Sequence, residues 1–431
     1  MTEFESMGII VWGTGYLGYS DMIYYTAAGC HTLGIDINAA SINARIKEGT
    51  YLRDLVSWYV MDTPKVSLEI TSDHNRSRAF KSRVHFICVP TEKNGRPWDE
   101  PLWDVISKIM EVEKEADRVN VLIESTLTPG TARRVMESLR ENLTGKKIRF
   151  GVAPRRDWFV DRDKNLTELA RVYGTESPES DAFFREILGK VCSNLVVASS
   201  YEIAEMTKSV ENSLRHICIM AADQLADAFP EMDIREVLAL AGTKWNIETY
   251  RPSFGPGGYC IPLSSKYLIS AAKNSEKLSI FSEATAYMGE RPYKIAREII
   301  GKINGPRIGI LGTMYEGDIG VDKESPVLRM MQVFKENGLQ VFVHDVFLDE
   351  ESVKEKYGVQ WFDFIDPAVL QSTDCLIINT AHSKYIEMAD FLAKAVRAGE
   401  MQIFDNTGIL TALREDPEVS EKYHLIGTPE W

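Results

Sequence analysis

The chain has 431 residues, 44% of them hydrophobic and 26% charged, with a formal net charge of −14. That length exceeds one ordinary core and points to two or three domains of a soluble globular protein. The acidic balance argues against nucleic acid or an anionic membrane as partner, yet a small anion can still be held at a local cationic pocket or a helix N-terminus.

The opening residues Met1-Thr2-Glu3-Phe4-Glu5-Ser6 carry no basic stretch, so no signal peptide is expected. Short apolar runs at Met7 to Trp12, Thr32 to Ile37, Val84 to Val89, Val121 to Glu124 and Ile148 to Val152 read as buried strands alternating with helical patterns. From Ser199 to Ala228 the pattern is helical only, with Ile203, Met206, Val210, Leu214, Ile217 and Met220 recurring three or four apart. More helix follows, interrupted by a loop at Arg251 to Gly258. A second alternating block has strands at Ile308 to Leu311, Gln340 to His344, Cys375 to Asn379 and Gln402 to Phe404, with a helix at Pro326 to Asn337. The fold class expected is α/β: two Rossmann-like, doubly wound domains joined by a central helical segment, divided at 1–198, 199–300 and 301–431. No apolar run approaches a membrane span. The six cysteines are scattered without a CxxC, which suits reduced thiols in a cytoplasmic protein with no disulfide framework and no metal site.

Two stretches carry chemistry. Gly13-Thr14-Gly15-Tyr16-Leu17-Gly18 places GxGxxG directly after the first strand and at the head of a helix. Gly13 permits the tight turn, Gly15 admits a pyrophosphate to the backbone, and Gly18 lets helix and strand approach. Asp36 closes the next strand, where a carboxylate accepts hydrogen bonds from a ribose diol and repels a 2′-phosphate, so NAD is expected. The second stretch is Arg251-Pro252-Ser253-Phe254-Gly255-Pro256-Gly257-Gly258-Tyr259-Cys260. It is a loop built for close backbone approach, and its cysteine stands near the start of a helix over Ser264 to Ala272, a setting that favours a thiolate nucleophile. A lone cysteine is also a common small core residue.

Together with these, Val89-Pro90-Thr91, Glu124-Ser125-Thr126-Leu127-Thr128-Pro129-Gly130-Thr131, Ala204-Glu205-Met206-Thr207-Lys208 with Asn212, Gly309-Ile310-Leu311-Gly312 and Glu324-Ser325-Pro326 follow in order. In this series the chain resembles the nucleotide-sugar 6-dehydrogenases, the UDP-glucose/GDP-mannose dehydrogenase family, over nearly its whole length. The resemblance implies oxidation of a nucleotide-linked sugar at its primary alcohol with two NAD reduced, passing through a thiohemiacetal and a thioester on Cys260. It implies that Lys208 and Asn212, on one helical face, stabilise the oxyanion, and that Thr126 lies beside the nicotinamide and the catalytic water. The cofactor set it implies is Gly13, Gly15, Tyr16, Leu17, Gly18, Asp36, Pro90, Thr91 and Thr126. The substrate set is Lys208, Asn212, Arg251, Phe254, Gly255, Gly257 and Lys266. A homodimer through the long middle helix is implied as well.

The chain departs from the family at specific positions. The family's aspartate four residues after the cysteine is Ser264 here, the preceding lysine is Leu263, and the glutamate of its Pro-Glu pair is Arg155. Serine is a poor base unaided and arginine stays protonated, so two carboxylates used for base and water chemistry are missing. Asp157 and Asp161 lie near Arg155 in the chain, and no acid lies near Ser264. Tyr315-Glu316 stands where Phe-Lys is common, placing a negative charge where a diphosphate would be met. Three readings follow: a four-electron dehydrogenase with rearranged bases, a single-oxidation or redox-neutral nucleotide-sugar enzyme that regenerates NAD, and a non-catalytic nucleotide-binding subunit.

Overall fold

The computed structural model describes residues 7–51, 64–158, 161 and 163–431. They form two compact units, Met1–Asn212 with Leu263–Lys277, and Ser213–Pro262 with Leu278–Trp431.

The first unit is built on ten strands: β1 (Met7–Trp12), β2 (His31–Ile35), β3 (Ile70–Thr71), β4 (Ser82–Ile87), β5 (Glu92–Lys93), β6 (Arg96–Pro97), β7 (Arg118–Ile123), β8 (Lys147–Val152), β9 (Arg171–Thr175) and β10 (Leu195–Val197). Eight of them make one sheet in the order β10-β9-β8-β7-β4-β1-β2-β3. The pairs are parallel except β8 with β9. β5 and β6 form a separate hairpin, turned by Asn94 and Gly95, whose φ of 54° and 70° suit the two-residue turn between twisted strands. Period-two alternation divides the core between the two faces of the sheet. Ile10, Trp12, Val121, Ile123 and Phe150 pack in one cluster, while Ile9, Val11, Val84, Phe86 and Leu122 pack in the other. The helices are α1 (Tyr16–Ala27), α2 (Ala39–Lys47), α3 (Glu100–Val112), α4 (Thr131–Asn142), α5 (Pro178–Leu188) and the long α6 (Tyr201–Ala228), whose last part belongs to the second unit. α3 shows the pattern well: Leu102, Val105, Ile106, Ile109 and Val112 are its buried residues, three or four apart.

The second unit holds α7 (Ile234–Ala241), the first three residues of α8 (Cys260–Ala271) and α9 (Ser279–Lys302). Its sheet comprises β11 (Arg307–Leu311), β12 (Gln340–His344), β13 (Gln360–Trp361), β14 (Cys375–Ile378), β15 (Gln402–Asp405) and β16 (Tyr423–Leu425), in the order β13-β12-β11-β14-β15-β16 and parallel throughout. The expected α/β class with two doubly wound sheets is the architecture found. The helix carrying Cys260 starts earlier than its apolar spacing predicts, at Cys260 itself and not at Ser264. β9, β10 and β16 also lie outside the strands read from the sequence; β10 is three residues long and partly exposed, too short to show a period.

Candidate active site

Parallel α/β sheets bind ligands beyond the carboxyl ends of their strands, where the strand order reverses. In the first unit β1 lies between β2 and β4, and the GxGxxG turn leaves that edge. Gly13 has φ +84°, a conformation side chains disfavour. A Cβ on Gly18 would stand 2.0 Å from the Gly13 carbonyl oxygen, so α1 can close on β1 only as glycine. A Cβ on Gly15 would meet nothing within 4 Å. That open space, at the residue preceding α1, fits a pyrophosphate held against a helix N-terminus. Asp36 is fixed beside it: the Thr14 N–H donates to Oδ2 at 2.8 Å and the Asn38 N–H to Oδ1 at 2.8 Å. The Tyr51 hydroxyl donates to the Thr14 carbonyl. Tyr16 is partly exposed, and the carbonyl of Leu17 accepts from Arg155. Further along the same edge, Pro90 is exposed and Thr91 buried, and the Thr91 hydroxyl donates to the carbonyl of Thr126. The residues present therefore suit NAD.

Arg155 follows β8 and does not face solvent, since its side chain is 1% exposed. Its guanidinium lies 2.7 Å from Asp21 Oδ1, 3.5 Å from Glu124 Oε2 and 2.6 Å from Asp157 Oδ2. It also donates to Ser20 Oγ at 2.6 Å and to the Leu17 carbonyl at 3.1 Å, both in α1. Arg171 pairs with the other oxygen of Glu124. Burial, reinforced by the neighbouring Glu124 charge, pushes the Asp21 carboxyl well above its usual range despite Arg155. Asp157 is held below its usual range because Arg155 outweighs its burial. Asp21, Cys88 and Glu124 offer three ligand atoms within 4.8 Å of one another, but the Arg155 guanidinium already bonds the carboxylates that a metal cation would need.

α6 carries the predicted oxyanion residues of the first unit. The Lys208 side chain is 9% exposed, and its Nζ lies 3.2 Å from Glu211 Oε1. Glu211 Oε2 accepts from Arg156 Nε at 2.9 Å, and Arg156 also donates to the Ala170 carbonyl at 2.8 Å. Asn212, one turn beyond Lys208, is half-buried. Glu205 on the same helix holds the start of α4, accepting from the N–H groups of Gly130 and Ala132 at 2.6 and 2.7 Å. The contacts of Glu211 with Lys208 and Arg156 were not expected from the sequence, although the three-residue step from Lys208 to Glu211 was a usable signal.

In the second unit Cys260 is exposed, at the first position of α8. The loop before it is tied down residue by residue. The Ser253 N–H donates to Asp223 Oδ1 at 2.7 Å, the Ser253 carbonyl accepts from Arg291 Nε at 2.6 Å, and the Phe254 N–H donates to Asn406 Oδ1 at 2.7 Å. The Gly258 N–H donates to the Lys323 carbonyl at 2.7 Å. Gly257 and Gly258 are glycine because Tyr315 packs on them: a Cβ on Gly257 would stand 2.5 Å from Tyr315 Cβ, and one on Gly258 3.1 Å from its ring. Of the predicted substrate residues, Arg251 is exposed, Gly255 half-buried and Gly257 buried. Phe254 is fully buried, with its ring in the core beside Trp431 and its N–H taken by Asn406, so the expected substrate contact at this residue is replaced by a structural one. Lys266 belongs to the first unit, where its Nζ donates to the Gly95 carbonyl at 2.9 Å. Ser264 is buried. Glu316 is largely enclosed, and burial raises its carboxyl above the usual range in spite of Arg215 and His382.

Three family models match along the chain: the NAD binding domain of the UDP-glucose/GDP-mannose dehydrogenase family over residues 7–191, its central domain over 202–287 and its UDP binding domain over 309–412. The chain is 25% identical over 393 residues to the UDP-N-acetyl-D-mannosamine dehydrogenase of Methanococcus aeolicus, spanning 88% of this chain and 85% of that protein. It is 28% identical over 428 residues to Protein CapL of Staphylococcus aureus, spanning 94% and 96%. The solved UDP-D-ManNAc dehydrogenase of Pyrococcus horikoshii has the same fold, with a TM-score of 0.78 at 22% identity, covering 99% of this chain and 100% of that one. Among the described residues no helix is long and apolar enough to cross a membrane.

Proposed function

The chain belongs to the UDP-glucose/GDP-mannose dehydrogenase family, NAD-dependent oxidoreductases of nucleotide sugars, and from that premise we propose that it oxidises the primary alcohol of a nucleotide-linked sugar through a covalent intermediate on Cys260. NAD, when bound, accepts the hydride in each of two oxidations. The first oxidation takes the alcohol to the aldehyde as the hydroxyl proton is released. The Cys260 sulfur then bonds to the aldehyde carbon, giving a thiohemiacetal. The second oxidation leaves a thioester, whose C–S bond is broken by water to yield the carboxylate and the free thiol. Lys208 and Asn212 stabilise the negative oxygen that forms at this carbon, and Thr126 orders the adjoining polar groups. The cofactor is held by Gly13, Gly15, Tyr16, Leu17, Gly18, Asp36, Pro90 and Thr91. Arg251, Lys266 and the backbone of Gly255 and Gly257 hold the substrate. The observation that carries this reading is Cys260 itself: an exposed thiol on the first residue of a helix, behind a loop whose backbone is fixed at Ser253, Phe254 and Gly258.

A second reading is favoured by the fate of Arg155. Its guanidinium is bound within the first unit and Ser264 is uncharged, so neither position supplies the carboxylate for hydrolysis. An enzyme stopping short of hydrolysis would oxidise once, or return the hydride and release an altered sugar. One measurement separates the two: incubate the protein with NAD and UDP-N-acetyl-D-mannosamine or UDP-N-acetyl-D-glucosamine, count NADH by absorbance, and weigh the sugar by mass spectrometry. Two NADH and one carboxylate per sugar, with the carboxylate abolished in Cys260→Ala, support the first reading. An altered sugar without net NADH supports the second, and carboxylate formation that survives in Cys260→Ala sinks the thioester route.

Ile203, Met206 and Leu214 of α6 are exposed apolar side chains, and with the family they support a homodimer through this helix. A monomer mass in light scattering at micromolar concentration would reject it.

A further inference from the structure

The sequence removes carboxylates from positions 155 and 264, and the structure puts another one against the lysine that the reaction uses. Glu211 Oε1 lies 3.2 Å from Lys208 Nζ, and the second oxygen of Glu211 accepts from Arg156 at 2.9 Å. Arg156 is itself anchored to the Ala170 carbonyl. The chain of contacts therefore runs from the loop beyond β8, through a carboxylate, to an enclosed ammonium. An exposed i,i+3 pair on a helix contributes little and is readily exchanged with water. Here the lysine side chain is 9% exposed and the carboxylate 26%, and a second cation fixes the carboxylate from the other side. Lysine has four rotatable bonds and no preferred direction of its own, so a catalytic role demands a partner that orients its donors. Among the described residues Glu211 is the carboxylate that contacts Nζ.

We propose that Glu211 is a positioning residue for Lys208, holding its ammonium on the helical face it shares with Asn212, with Arg156 as the brace that keeps Glu211 in place. This rests on the proposed oxidation of a nucleotide sugar with Lys208 in the oxyanion role. A misdirected lysine would weaken the transition state and leave binding of the cofactor alone, because a displacement of about 1 Å in a catalytic group can cost on the order of 10²-fold in rate.

The test uses the full-length protein with NAD and UDP-N-acetyl-D-mannosamine or UDP-N-acetyl-D-glucosamine as probes. Glu211→Gln is isosteric and neutral. It is expected to lower kcat by about 10–100-fold while the KM for NAD, the KM for the sugar nucleotide and the melting temperature stay within about twofold or 2 °C. Glu211→Asp, which keeps the charge, is expected to recover part of the loss. A Glu211→Gln enzyme with kcat within threefold of wild type overturns the proposal. So does one whose melting temperature and NAD affinity fall along with kcat, since that marks a merely structural pair. Wild-type protein that reduces no NAD with either probe overturns the functional reading beneath it, a result distinct from the other two.

Discussion

Arg155 and Asp157 form a closed pair two residues apart, with Nη2 to Oδ2 at 2.6 Å and Nε to Oδ1 at 2.9 Å. The fork geometry of the guanidinium matches both carboxylate oxygens, the strongest arrangement open to such a pair. It accounts for the arginine that the sequence places after Pro154: the cation belongs to the internal frame of the first unit, where it joins β8 to α1. Removing it would leave Asp21, Glu124 and Asp157 enclosed with Arg171 alone to balance them.

Arg155→Met is therefore expected to cost about 3–5 kcal/mol, the range for breaking a buried pair from one side, read as a lower urea midpoint. Arg155→Glu, which restores the family's residue type, should do worse, because it encloses a fourth carboxylate with the other three. A glutamate variant as stable as the wild type would show that this cluster is not what the guanidinium balances.

Much of this arrangement was legible in the sequence, and the part that was not has a physical reason. The alternation of buried strands with amphipathic helices reports local periodicity, and β1, β12 and α6 could be read from it nearly to the residue. Gly13, Gly18 and Asp36 announce themselves because a tight turn, a close helix and an acid at a strand end have few other uses in that order. The role of Arg155 was hidden, since its partner Ser20 lies 135 positions away and only the folded sheet brings the two together. The Lys208–Glu211 contact lay in plain view at helical spacing, though spacing alone could not tell that the lysine is enclosed.

Two glycines of the dinucleotide loop should fail in different ways. A methyl on Gly18 has nowhere to go, standing 2.0 Å from a backbone oxygen, so Gly18→Ala should lower the melting temperature by several degrees and NAD affinity with it. A methyl on Gly15 meets no protein atom within 4 Å, and its backbone is not left-handed. Gly15→Ala should melt within about 2 °C of wild type while NAD binding weakens at least about tenfold, because the methyl takes up ligand space. Titration of intrinsic fluorescence with NAD, beside thermal melts, distinguishes the two; equal losses of both properties in both variants would refute the assignment of open space to the pyrophosphate.

Asp36 should govern the choice between NAD and NADP through its charge. Asp36→Asn keeps an acceptor for the Thr14 N–H, which now donates to Oδ2 at 2.8 Å, and removes the charge that a 2′-phosphate would meet. The preference for NAD, measured as the ratio of the two Kd values, should fall at least about tenfold, a hydrogen bond to a charged group being worth roughly 1.5–3 kcal/mol. An unchanged ratio would move the discrimination to another residue.

The last expectation concerns pH and the loop ahead of Cys260. Asp223 accepts from the Ser253 N–H at 2.7 Å and lies 3.2 Å from Nε of Arg291, whose Nη1 donates to Asp227 and Tyr287. Burial outweighs the pull of Arg291 and pushes the Asp223 carboxyl up to about 7, from an ordinary value near 3.8. Between those two values the folded state binds the proton that the unfolded chain releases, so this group's contribution to stability is full below pH 4 and declines as pH rises towards 7. Asp223→Asn can still accept from Ser253 and cannot ionise. Its melting temperature relative to wild type should rise from pH 5 to pH 7 and level off above, by an amount on the order of 2 kcal/mol. A difference that stays flat from pH 5 to pH 7 would mean that Arg291 holds the acid ionised throughout. Asp223 acts on the loop backbone and not on the thiol, so the variant's pH profile for NADH formation should keep the wild-type shape.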